Sequence, residues 1–194
     1  VQNKAEKWVF EALMYISRVF PFPIIGIDSD NGSEFINHHL FDYCTANKIT
    51  FTRSRASHSN DGAHVEQKNW THVRELVGYH RYDTPAELAL LNEIWELDRV
   101  FTNYLLPQQK LVFQQRNGAK VTKRYDTATT PHQRAIARED MRKRPIIQMN
   151  AEFKRIKPAA LSRQILTLTG QLETLALTKK TSTVKPAVNR AWNA

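Results

Sequence analysis

The run Ile24-Ile25-Gly26-Ile27 stops abruptly at Asp28-Ser29-Asp30-Asn31-Gly32-Ser33-Glu34, and this break constrains the fold more than any other stretch of the chain. A short β-branched run that ends at Asn-Gly reads as a buried strand carrying an acid into a tight turn, because Gly accepts the positive φ that other residues resist. Strand 23–29 has too few polar residues to face water, which places it centrally in a sheet covered on both faces. Before it, Ala5, Trp8, Val9, Ala12, Leu13, Ile16 and Phe20 recur at steps of three and four, the stripe of a helix that Pro21 and Pro23 end. After it come a helix over 37–47 with Leu40, Phe41 and Cys44 inward, and an alternating strand at Ile49-Thr50-Phe51-Thr52. Helix, strand, helix, strand, helix predicts an α/β architecture with crossover connections.

A second acidic segment follows. In Ser57-His58-Ser59-Asn60-Asp61-Gly62-Ala63-His64-Val65-Glu66, a polar, Gly-containing loop opens a helix with Glu66 in its first turns. Taken singly, each feature has a plainer reading: Asp-Asn-Gly is a common turn, and a Glu near a helix start complements the dipole. Asp61 serves the turn with Gly62. His58 and His64, six apart, do not share a helical face and make a poor zinc pair.

What distinguishes the pair is the interval, 35 residues between Asp30 and Glu66. A strand-end Asp-Asn-Gly followed at this distance by a helical Glu resembles the second and third acids of the D,D-35-E retroviral-integrase and transposase superfamily, over at least residues 1 to about 80. The resemblance implies an RNase H-like catalytic core and a metal-dependent DNA strand cleavage and transfer reaction of a mobile element. It implies that Asp30 and Glu66 each hold one of two Mg²⁺ or Mn²⁺ ions, since hard cations take carboxylate oxygen. Asn69 matches the family's Asn after its Glu, and Lys68 and Arg74 on the same helix are candidates for phosphate contacts. Trp70 and Val73 stand where retroviral relatives carry lysines.

The family also places a first Asp on an earlier strand. Only 29 residues precede Asp30 and the first acid, Glu6, lies in a helical stretch, so the expectation is a core lacking its first strands and impaired in catalysis. The strand around Ile25 then has an unfilled neighbour position, which favours self-association.

Charge divides the chain. Residues 1–100 hold 10 Lys+Arg against 14 Asp+Glu, a net −4, whereas residues 101–194 hold 18 against 5, a net +13; together they give the formal +9. The basic half, with Lys120, Lys123, Arg124 and Arg134 foremost, is the candidate DNA-binding region. Thr84-Pro85-Ala86-Glu87 spells a capping box opening a helix to about Tyr104, and Thr129-Thr130-Pro131-His132-Gln133-Arg134 reads as another capped, short helix. Leu161, Ile165, Leu168, Leu172 and Leu175 are spaced four, three, four, three. That seam suits either a helix packed on its own domain or a dimer. The expected organisation is an integrase-like core at 1–104 followed by a basic, mainly helical C-terminal region, made of a DNA-binding part at 105–157, an amphipathic heptad helix at 158–178 and a disordered tail at 179–194.

The single cysteine, Cys44, rules out an internal disulfide and a Cys-based zinc site, which fits a reducing cytoplasm. No apolar stretch reaches the length of a membrane span. DNA is the expected partner, as mobile-element ends and target, with a second copy or a full-length transposase as possible assembly partners. The alternative is a DNA-binding remnant or accessory chain that performs no chemistry.

Overall fold

The computed structural model describes residues 5–30, 32, 35, 38–55 and 58–179, with the backbone alone at 59, 60, 63 and 64. Helix α1 (Glu6–Val19) leads into strand β1 (Gly26–Ser29), helix α2 (His38–Ala46) and strand β2 (Thr50–Arg53). β1 and β2 pair in parallel with Gly26 opposite Thr50 and Ser29 opposite Arg53, so α2 is the crossover of a βαβ unit. Leu40, Cys44 and Ile49 form its buried centre, with Leu13, Ile24, Ile27, Phe35, Tyr43 and Phe51 packed around them. α1 is fastened to α2 by the edge-to-face pair Phe10–Tyr43 and by the Tyr43 hydroxyl donating to Ser17 Oγ at 3.0 Å. Burial pushes the Cys44 thiol above its ordinary pKa, the state of an inert core residue.

The chain then makes a 3₁₀ turn (Ser59–Gly62), helix α3 (Ala63–Asn69), a π-helical turn (Trp70–Arg74) and a last turn, α4 (Glu75–Val77). The long helix α5 (Pro85–Leu105) starts from the expected capping box: Thr84 Oγ1 accepts from Glu87 N, and Glu87 Oε2 accepts from Thr84 N at 2.9 Å. A hairpin of β3 (Leu111–Asn117) and β4 (Lys120–Tyr125) follows, then α6 (Pro131–Ile136), α7 (Lys143–Arg155) and α8 (Pro158–Thr178). α6 also carries its capping box, between Thr130 and Gln133.

α8 lies along α5. Its seam residues Leu168 and Leu172 join Val77 and Ile94 in a second core, ringed by Val73, Leu76, Tyr82, Leu90, Leu91, Trp95 and Leu97. The own-domain reading of the heptad is therefore the arrangement present. Tyr104, His132 and Phe153 stack where α5, α6 and α7 meet, with the Tyr104 hydroxyl donating to Glu152 and His132 bonded to Asn150. Burial and then the Glu152 hydrogen bond raise the Tyr104 phenol well above its ordinary pKa.

The fold is mixed α/β as expected, with one correction and one addition. β1 is not a central strand covered on both faces: among the described residues its one partner is β2, and Ile25 just before it is 81% exposed. The region from 105 onward, expected to be mainly helical, also holds a hairpin over residues 111–125. The expected tail beyond Lys179 and Asn31 of the Asn-Gly turn lie outside the described residues. Among the described residues, no helix is long and apolar enough to cross a membrane.

Candidate functional site

Parallel pairing puts the C-terminal ends of β1 and β2 side by side, and both singled-out acids belong to segments leaving that end. Asp30 follows β1 directly, and its Oδ1 accepts from Gly32 N at 2.9 Å. This hydrogen bond holds the carboxylate at the strand end. Ser29 beside it is buried, and its carbonyl accepts from Ser54 N at 2.9 Å, extending the ladder one step past β2.

From Ser54 the chain runs into a clamp. Arg55 donates to Asp61 from its backbone N, from Nε at 2.8 Å and from Nη2 at 3.0 Å. The side-chain hydrogen bond from Arg55 is the main reason the Asp61 carboxyl falls to about 2. The clamp ties the loop after β2 to the start of α3. Glu66, exposed in the first turn of α3, turns back along it: Oε1 lies 3.6 Å from where a Cβ on Gly62 would stand. Asp30, Ser29, Ser54, Arg55, Asp61, Gly62 and Glu66 thus form one connected path around the end of the sheet.

The neighbouring acids are committed elsewhere. Asp61 is absorbed by Arg55, which goes beyond the turn role read from its sequence. Asp28 Oδ1 accepts from Thr52 Oγ1 at 2.7 Å across the strand pair. Asp30 and Glu66 are both exposed. Among the described residues, no group of three or more His, Cys, Asp and Glu comes together as a metal centre. The side chain of His64 lies outside the described residues.

Farther along the same helical stretch, the site residues differ in availability. Asn69 and Lys68 are exposed, with Lys68 Nζ 3.4 Å from His72 Nε2. Arg74 is turned inward: its guanidinium covers the Tyr79 ring at 4.6 Å and donates to the Gly78 carbonyl. Trp70, 52% exposed, donates from Nε1 to Glu75 at 3.0 Å. The π-helical turn that carries Trp70 was not legible in the sequence. Such one-residue insertions often lie at functional sites, and this one begins directly after the helix that bears Glu66.

The cations of the basic half divide in the same way. Lys120, Lys123 and Arg124 lie on β4 and are exposed. Arg134 is held inside: it donates to Asp126 at 2.6 and 3.1 Å and to the Gln108 carbonyl at 2.7 Å. Its terminal nitrogens are spent on the base of the hairpin and its Nε is buried, so the guanidinium is turned away from a phosphate.

No family model matches the chain. It is 39% identical over 131 residues to an uncharacterized protein, y4rM, of Sinorhizobium fredii, an alignment covering 68% of this chain and 37% of that protein. The chain thus spans little more than a third of the length of this relative.

Proposed function

We propose that the chain is part of a DNA-integration or transposition enzyme with an RNase H-like core, in which Asp30 and Glu66 are two of the metal-holding carboxylates. One observation carries this reading. Two exposed acids, separated by 35 residues, sit on a strand end and on the helix reached from the paired strand end, with the Arg55–Asp61 clamp between that strand and the helix. The donor set fits Mg²⁺ or Mn²⁺, because carboxylate oxygens are the ligands hard cations prefer.

Two such ions, when bound, would stabilise the attacking and leaving oxygens of a phosphodiester displacement. The protein's own part is to position the two carboxylates. The Arg55–Asp61 clamp fixes the loop that positions Glu66, and the Gly32 amide fixes Asp30. A third carboxylate would come from a strand alongside the open edge of β1, the place the resemblance gives to the first Asp. Without it, the site is expected to be impaired.

Asp30→Asn and Glu66→Gln remove charge and keep shape. In a chain supplied with a strand that ends in Asp beside β1, each is expected to abolish Mg²⁺-dependent cleavage of duplex DNA while leaving binding largely intact. Retained cleavage in either variant would refute the assignment. A second reading, DNA binding without chemistry, is favoured by the hairpin, where four cations and no acid lie between Leu111 and Tyr125.

A further inference from the structure

Strands β3 and β4 form a two-stranded ribbon with every residue exposed on both faces. An isolated hairpin in water is marginally stable at best, so an ordered one needs an anchor. Its base supplies one. Asp126 accepts from Lys110 N at 2.6 Å and from both terminal nitrogens of Arg134, while Gln108 and Thr129 exchange backbone hydrogen bonds. The other end closes at Gly118, whose φ of +60° suits the first central position of a tight hairpin turn. The result is an arm fixed at one end and open along its length.

Register sorts its side chains. Phe113 pairs with Arg124, Gln115 with Thr122 and Asn117 with Lys120, so these six share a face. The opposite face carries Gln114 with Lys123 and Arg116 with Val121. On the first face the Arg124 guanidinium sits 5.8 Å from the centre of the Phe113 ring, and the remaining four side chains are hydrogen-bonding groups. Arg, Lys, Asn, Gln and Thr are the side chains that match guanine, adenine and backbone acceptors in a DNA groove.

We infer that this ribbon is a duplex-DNA arm that lies in the major groove with the Gln115, Asn117, Lys120, Thr122 and Arg124 face toward the bases. The inference deepens the DNA-integration reading and rests on its choice of partner. Dimensions select the groove. Two strands about 4.8 Å apart, with their side chains, suit a groove about 12 Å wide and not one about 6 Å wide. Seven residues at about 3.3 Å each span roughly 20 Å, the length of about six base pairs. A-form RNA, with its deep and narrow major groove, does not admit such a ribbon. Lys120 and Arg124 on this face, with no acid on either strand, complement the charge of the phosphates that line the groove.

The test uses the full chain and a mixed-sequence 30-base-pair duplex, with chelator present so that no cleavage intervenes. Affinity is followed by fluorescence anisotropy across a salt series. Lys120→Ala with Arg124→Ala is expected to weaken binding at least about tenfold and to lower the salt slope by up to about two. Arg116→Ala with Lys123→Ala, on the far face, is expected to change both much less. Dimethyl sulfate footprinting of the unaltered protein is expected to protect guanine N7, a major-groove atom, and to leave adenine N3 in the minor groove reactive. Equal losses from the two pairs, or protection of N3 in place of N7, would overturn the groove assignment while leaving DNA as the partner. Absence of duplex binding would overturn the inference and the DNA reading together. The footprint needs no variant, and all four substituted residues are exposed, so circular dichroism should be unchanged.

Discussion

Glu87 shows how one residue serves two distant parts of the chain. It is 1% exposed, and burial alone would raise its pKa. Lys179 Nζ at 2.9 Å, the Thr84 and Asp83 amides and the Thr84 hydroxyl outweigh that and hold the carboxyl at about 2. Lys179 also donates to Asp83 and to the Arg81 carbonyl, so the end of α8 is latched to the start of α5. A folded pKa below the ordinary carboxylate value stabilises the fold above about pH 4.5, and this contribution is lost as pH falls toward 2. Urea midpoints measured from pH 6 down to 2.5 should fall steeply for the native protein, and Glu87→Gln should start lower and flatten that limb. Parallel curves would show that Glu87 does not control it. The capping box was legible because its signals lie within four residues. Lys179 was not, since its partner lies 92 positions away. Arg134 makes the same point: its charge was readable, its destination at Asp126 was not.

Among the elements, α8 was read correctly as an amphipathic helix over 158–178, yet its spacing could not say what covers the seam. The structure covers it with α5. Leu172, fully buried between them, should cost about 2–5 kcal/mol on substitution by Ala. Leu175, 39% exposed at the edge of the seam, should cost clearly less. Chemical denaturation of the two variants checks the order, and equal losses would contradict this packing. The hairpin was missed although Asn117-Gly118 is a strong hairpin signal. With polar and charged side chains on both faces, it lacks the apolar alternation by which strands are recognised. Gly118→Ala, forced to a positive φ, should destabilise the hairpin by about 1–2 kcal/mol although nothing crowds the site. Faster amide exchange across 111–125 without a change in global melting would be its signature; unaltered exchange would argue against the strain.

At the scale of the whole molecule, two buried clusters lie on either side of the segment that bears Glu66, one around β1, β2 and α2, the other between α5 and α8. The first half of the α/β pattern was visible because Ile24–Ile27 and its flanking helices have clear periods. That β1 would have one partner among the described residues and an exposed Ile25 depends on pairing, which local sequence does not encode. The residue types and interval of the acid motifs are read directly from the sequence, whereas the metal site proposed for them depends on how the two segments come together. The arrangement proposed for them rests on the parallel register and the Arg55–Asp61 clamp. The most direct measurement is electron paramagnetic resonance of Mn²⁺ titrated into the native chain and into Asp30→Asn and Glu66→Gln separately. Binding weakened at least about tenfold in both variants is predicted; Mn²⁺ affinity unchanged by either substitution would contradict the account.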